Sequence, residues 1–388
     1  PPFSSRRRHT RLGRWSRGLG DVYKRQLVAF AGGILNSFHQ FAVPAFTPVL
    51  LNLCLIGSVF FLAPYFDEPL MALAWGVALA GVTQLLLQFP FLLKLGLFPV
   101  PKFKRGHEGV KRIINLMIPA IIGSSVAQIN LLLDTVIASF LITGSVTWLY
   151  YSDRLLEFPL GVLGIAIATV ILPTLSQQHA RASAEHFNQT LNWALRLVAL
   201  ITIPACAGLF IMAAPILASL FEYGEFTAKD TYFSSLSLMA YMLGLPALIV
   251  IKILAPGYYA RQDTRTPVRI GIIAMVLNMV FNIAFVVPLV MMDYQAPHVG
   301  LALATSLSAY INALMLYSGL RRSGIFKPEA GWFAWLFRTA IATTAMAAAV
   351  LWLNPDTLQW SQWSLTERLT NLGSIILIGV FIYFTLLW

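Results

Sequence analysis

Long apolar stretches, broken by short clusters of charged and turn-forming residues, run along almost the whole of this chain. Runs of about 20 apolar residues fall near 43–64, 70–93, 113–142, 148–175, 191–217, 232–258, 268–290, 297–319, 332–353 and 369–388. Each is long enough to cross about 30 Å of hydrocarbon as a helix. Segment 27–38 reads as the tail of an eleventh. In lipid such a run can satisfy its backbone only by hydrogen-bonding to itself, so the pattern predicts an all-α polytopic membrane protein with about ten complete transmembrane helices. A mean hydropathy of +0.73, with only 11% charged residues, excludes an ordinary soluble domain.

The loops alternate in charge. One set holds Lys94, Lys102, Lys104, Arg105, Lys111, Arg112, Arg181, Arg261, Arg265, Arg269, Arg321, Arg322 and Lys327. The opposite set holds only Lys229 and Arg368, beside acidic residues such as Asp67, Glu222, Glu225, Asp230, Asp356 and Glu367. Cytoplasmic loops carry the excess of Lys and Arg, so thirteen basic residues against two place the first set inside. Arg196 and Arg338 lie close enough to cytoplasmic ends to snorkel. Trp332, Trp335, Trp352, Trp360 and Trp363 cluster around the last helix pair, as interfacial tryptophans do.

The formal charge of +11 owes much to residues 1–25, which carry eight Lys or Arg against Asp21 alone. That stretch runs abruptly into an apolar segment at Gln26-Leu27 and has no signal-peptide core. Its string Ser4-Ser5-Arg6-Arg7-Arg8-His9-Thr10 resembles translated sequencing-adapter read-through, so residues 1–26 are expected to be a non-native leader. No nucleic-acid partner is expected from them. Cys54 and Cys206 lie inside apolar runs and read as packing residues.

Candidate chemistry gathers in three places. Around a helix, Asp153, Arg154 and Glu157 share one face at the start of an otherwise apolar span. Charges at membrane depth usually line a polar path, and Arg154 suits a phosphate or carboxylate; a structural Arg–carboxylate cluster locking two helices together is the alternative. Pro159, Gly161 and Gly164 would let that helix bend. Asp134 in the preceding span, Asn278 and Asn282 at i and i+4, and Thr305 are hard oxygen donors suited to a small cation such as Na⁺ if their helices converge. Interhelical hydrogen bonding is the alternative for that group. Lys252 either snorkels to the cytoplasmic face or forms a second phosphate contact. No hydrolytic triad, Walker loop, zinc-ligand spacing or nucleotide fingerprint is present, so no catalytic residue and no organic cofactor is expected.

An internal echo links Gly33-Ile34-Leu35-Asn36 through Pro44 to Asn52 with Gly257-Tyr258-Tyr259-Ala260 through Pro267 to Asn278. The two lie six expected helices apart, which suggests two similar lobes.

The stretches YYSDRLLEFPLGVLGIAIATVILPTLS (150–176), LFEYGEFTAKD (220–230) and LAPGYYARQDTRTPV (254–268) resemble the MurJ/MviN family of lipid II flippases, within the MOP exporter superfamily. The resemblance covers essentially all of 27–388. It implies a two-lobed transporter bundle of fourteen helices, the chain beginning near the end of the fourth. On that template 27–96 is a remnant of the N-terminal lobe and 97–112 a basic cytoplasmic loop. Residues 113–322 form the C-terminal lobe, and 323–388 an extra helix pair that forms a groove for a lipid tail.

The implied activity is transfer of undecaprenyl-pyrophosphoryl peptidoglycan precursor from the cytoplasmic to the periplasmic leaflet by alternating access. It implies Arg154, Asp153, Glu157 and Lys252 at the substrate, and Asp134, Asn278, Asn282 and Thr305 at a Na⁺ site with Na⁺ as coupling ion. Membrane lipids, lipid II and a monomeric state in the bacterial inner membrane complete the expectation. Another MOP exporter, of lipid-linked oligosaccharides or drugs, is the alternative. A membrane glycosyltransferase would need a catalytic carboxylate pair in a sizeable periplasmic loop, and the longest, about 354–368, has none.

Overall fold

The computed structural model describes residues 26–36, 38, 40–66, 70–97, 114, 125, 128–181 and 183–387. Nearly all of the expected leader and of the 97–112 loop lie outside the described residues, as does the first half of the 113–142 span. The chain divides into two compact units, Pro1–His107 and Glu108–Trp388. The described residues contain helices and no strand.

The first unit holds α1 (Gln26–Asn36), α2 (Ala42–Phe61) and α3 (Leu70–Lys94). Helices α2 and α3 pack together, and Gln84 Nε2 donates to the Thr47 carbonyl at 2.7 Å, the kind of polar contact that joins helices where lipid supplies no hydrophobic drive.

The second unit holds α4 (Gln128–Ser139), α5 (Ser145–Pro159), α6 (Ala166–Ala180), α7 (Ala184–Ile211), α8 (Ala213–Phe221), α9 (Ala228–Tyr259), α10 (Arg265–Met291), α11 (Val299–Arg322), α12 (Trp332–Leu353), α13 (Thr357–Gln362) and α14 (Leu365–Leu387). Among the described residues, nine helical segments are long and apolar enough to span a bilayer. Helix α9 is central: 56% of its apolar window is buried, against 17% for α14, and it packs on α5, α6, α7, α8 and α11. Its small residues make this possible. A Cβ at Gly244 would sit 2.7 Å from the Cα of Ser306, whose hydroxyl donates to the Ala240 carbonyl.

Helices α5 and α6 form one continuous rod of 36 residues, joined by a π-helical segment over Leu160–Ile165. Pro159 stands just before it and cannot return a helical N–H, so the ladder re-forms with a wider loop where a bend was expected. The run expected over 191–217 is instead two helices, broken at Met212.

Two boundaries differ from expectation for a local reason. Thr227 and Asp230 make a capping box that starts α9 before Lys229. Ser364 and Glu367 pair in the same way, with Glu367 accepting the Ser364 N–H at 2.8 Å and donating its own N–H to Ser364 Oγ at 3.4 Å. Arg368 is therefore a helical residue rather than a loop residue. Cys54 and Cys206 are both free thiols.

The last helix pair is tied to α7 at the cytoplasmic end by side chains of α7, Asn192 foremost. Asn192 donates from Nδ2 to the carbonyls of Asn188 and Lys327, while its Oδ1 accepts from the Glu329 N–H and Trp332 Nε1. Arg196, expected to snorkel to that end, lies 3.6 Å from Glu329 and over the Trp332 ring.

Candidate functional site

The polar residues of α5 divide between two surroundings. Arg154 Nη1 bonds Glu157 Oε2 at 2.7 Å and its guanidinium lies over the Tyr150 ring at 5.0 Å. Both side chains are slightly over half exposed, at 53% and 55%. An i,i+3 pair this open contributes under about 1 kcal/mol, so the guanidinium can be handed to an anionic ligand at small cost. Asp153 is half-buried one position away. It lies in electrostatic reach of Glu157 and Arg154 on one side and of Asp134 on the other. The three charges expected on one face thus form a pair plus an inward carboxylate.

The four oxygen donors expected to converge do so. Asn282 Nδ2 donates to Asp134 Oδ1 at 2.6 Å and to Asn278 Oδ1 at 3.2 Å. Asn278 Nδ2 reaches Thr305 Oγ1 at 3.3 Å and Ser308 Oγ at 3.4 Å. Helices α4, α10 and α11 are so joined by one polar chain. Asn130, one turn before Asp134, donates to its Oδ2 at 3.2 Å. The side-chain oxygens of Asn282 and Asn130 are buried without a donor among the described residues. Surplus oxygen beside a carboxylate fits a hard cation better than it fits a closed hydrogen-bond network.

Lys252 is exposed on α9. Its aliphatic stem passes Gly164 of the π-helical segment, where a Cβ would come within 3.4 Å of Lys252 Cγ.

Several residues were missed from sequence. Tyr241 of α9 is buried within electrostatic reach of both Asp134 and Asp153, and a tyrosine in an apolar run carries no signal of that. Asn130 and Ser308 were recoverable, standing four residues before Asp134 and three after Thr305. Arg368 is the most buried arginine among the described residues, at 5% exposure.

Residues 25–371 match the family model described as "Lipid II flippase MurJ". A Vibrio cholerae protein described as a probable lipid II flippase MurJ is 48% identical over 362 residues, spanning 93% of this chain and 67% of that protein. A Haemophilus influenzae protein of the same description is 47% identical, over 92% of this chain and 69% of its own. A solved structure titled "Lipid II flippase MurJ, inward closed conformation" superposes with a TM-score of 0.72 at 26% identity, covering 94% of this chain and 71% of that one. This chain belongs to the MurJ family of lipid II flippases.

Proposed function

We propose that the chain moves lipid II, the undecaprenyl-pyrophosphate-linked precursor of peptidoglycan, from the cytoplasmic to the periplasmic leaflet by alternating access. It does so as a multi-pass protein of the bacterial inner membrane and as a monomer, without chemical change to its cargo. The family match over 25–371 supports the substrate class.

The observation that carries the mechanism is the state of Arg154: a guanidinium on an apolar span, over half exposed, held by a weak pair with Glu157. A charge at membrane depth is tolerated where it faces a watery cavity, and Arg binds phosphate oxygens in bidentate fashion. In this reading Glu157 keeps Arg154 oriented until a pyrophosphate displaces it, and Asp153 sets the local field. Lys252 supplies a further cationic contact from α9.

Asp134, Asn278, Asn282 and Thr305 would hold Na⁺, supported by their convergence and by the donor-less amide oxygens beside Asp134. When bound, the ion would supply positive charge against the Asp134 carboxylate. The lipid tail would lie in the aliphatic cavity of about 310 Å³ between α7, α8, α12 and α14.

Growth rescue tests this reading. Residues 27–388 would replace the matching stretch of the V. cholerae relative, in cells depleted of their own flippase. Rescue by the hybrid and lysis with equally abundant Arg154→Ala hybrid is expected. Equal rescue by both would remove Arg154 from the transport path.

A further inference from the structure

The aliphatic cavity has walls from two sources: Pro204 and Ile216 on α7 and α8, Val350, Ile375 and Tyr383 on α12 and α14. Around its rim these walls meet, with Met212 and Ile216 in one apolar cluster with Met346, Val350, Ile375 and Tyr383, but across the open space no packing sets the separation. Two polar ties bracket the space instead.

At the inner end Tyr383 donates its hydroxyl to the Leu200 carbonyl at 2.6 Å. That carbonyl is free for a specific reason. The N–H that should return its helical bond belongs to residue 204, which is a proline. A carbonyl stranded in lipid is costly, so Pro204 creates a demand that Tyr383 meets.

At the periplasmic end Arg368 is buried and donates to the carbonyls of Ala218, Ser361 and Trp363 at 2.6, 2.8 and 3.0 Å. It also lies 3.6 Å from Glu222, which accepts a bond from Thr231. Ala218 stands two residues past the lining residue Ile216, and Arg368 seven before Ile375. The two ties are about 22 Å apart along α14 at 1.5 Å per residue.

We propose that Tyr383 and Arg368 are positioning residues that hold α14 at a fixed distance from α7 and α8 and so set the width of the groove taking the isoprenoid tail. The identity of the occupant rests on the lipid II reading, whereas the ties do not.

The test uses the full chain in liposomes, with Cys54→Ser and Cys206→Ser and spin labels at Trp193→Cys on α7 and Leu377→Cys on α14. Transport is followed for lipid II and for an analogue with a three-isoprene tail. Tyr383→Phe keeps the ring and loses the donor. It is expected to broaden the label distance and to raise KM for lipid II roughly three- to tenfold, the worth of one hydrogen bond. The KM for the short-tailed analogue is expected to rise less than that for lipid II, with kcat changing less than KM for both. Arg368→Met is expected to act in the same direction and Arg368→Lys to be intermediate.

Pro204→Ala separates positioning from stability, because it returns a helical N–H to Leu200. The Pro204→Ala/Tyr383→Phe double variant is expected to regain wild-type thermal stability while keeping the broad distance and raised KM. A stable double variant with wild-type distance and KM would overturn the proposal, since the tie would then serve only to satisfy a carbonyl. If neither the parent chain nor its hybrid with the V. cholerae relative moves either substrate, the lipid II reading falls, and the label distances alone decide the ties: a Tyr383→Phe distribution as narrow as the parent's overturns them.

Discussion

Asn282 Nδ2 donates to Asp134 Oδ1 at 2.6 Å, joining residues 148 apart in sequence and tying α10 to α4. The amide spends its donors on Asp134 and Asn278, which leaves its oxygen buried and free to face a cation. Both residues are thus held by a network whose spare capacity is oxygen.

Removing the Asp134 charge while keeping its shape is therefore expected to abolish ion dependence without unfolding the chain. Asp134→Asn should show no Na⁺-specific heat in calorimetric titration, and transport that no longer distinguishes Na⁺ from K⁺. Asn282→Ala, which removes a flanking oxygen and the bond that orients the carboxylate, should weaken Na⁺ roughly 10- to 100-fold. Unchanged Na⁺ affinity in both variants would reduce the cluster to interhelical hydrogen bonding.

Asn192 should be among the most sensitive polar positions. One amide there makes four hydrogen bonds, linking α7 to the 327–332 connection and to Trp332. Asn192→Ala removes the partner of the Lys327 carbonyl, the Glu329 N–H and the Trp332 indole N–H, while the Asn188 carbonyl keeps its helical bond, and should lower unfolding stability by about 1–3 kcal/mol. Denaturant unfolding in detergent measures it, and a loss under about 0.5 kcal/mol would mean the connection is held by other contacts.

Gly244→Ala should destabilise by overpacking rather than by loss of an interaction. The added methyl meets both the side chain and the backbone of Ser306, and backbone can yield only by moving α11 away from α9. A cost of about 1–3 kcal/mol is expected. Ser306→Gly in the same chain should recover part of it by making room for the methyl, though the hydroxyl's bond to Ala240 is then lost.

What was legible in the sequence follows the physics of the bilayer. Apolar runs announce spanning helices because lipid leaves the backbone no other partner, and this held for every run whose residues are described. The i,i+4 spacing of Asn278 and Asn282 gave one shared face directly. Three things were not legible as read. The turn of a helix placed Asp153 beside Arg154 and Glu157, but only packing of α4 and α9 decided that it looks inward. Charge made Arg368 look like a loop residue, although the Ser364-x-x-Glu367 box ahead of it marks a helix start. The bond between Tyr383 and Leu200 spans 183 residues, and only its cause, Pro204, lies in local sequence.

Direct transport of labelled lipid II across liposomes, comparing the parent chain with Arg154→Ala and Arg154→Lys, tests the central claim most closely. The parent should move lipid II, Arg154→Ala should fall by at least about 100-fold, consistent with the loss of a charged hydrogen-bonded anchor of about 3 kcal/mol. Arg154→Lys should retain a small part, having charge without the bidentate fork. Wild-type transport by Arg154→Ala, at equal reconstituted amounts, would contradict a path for the pyrophosphate past Arg154.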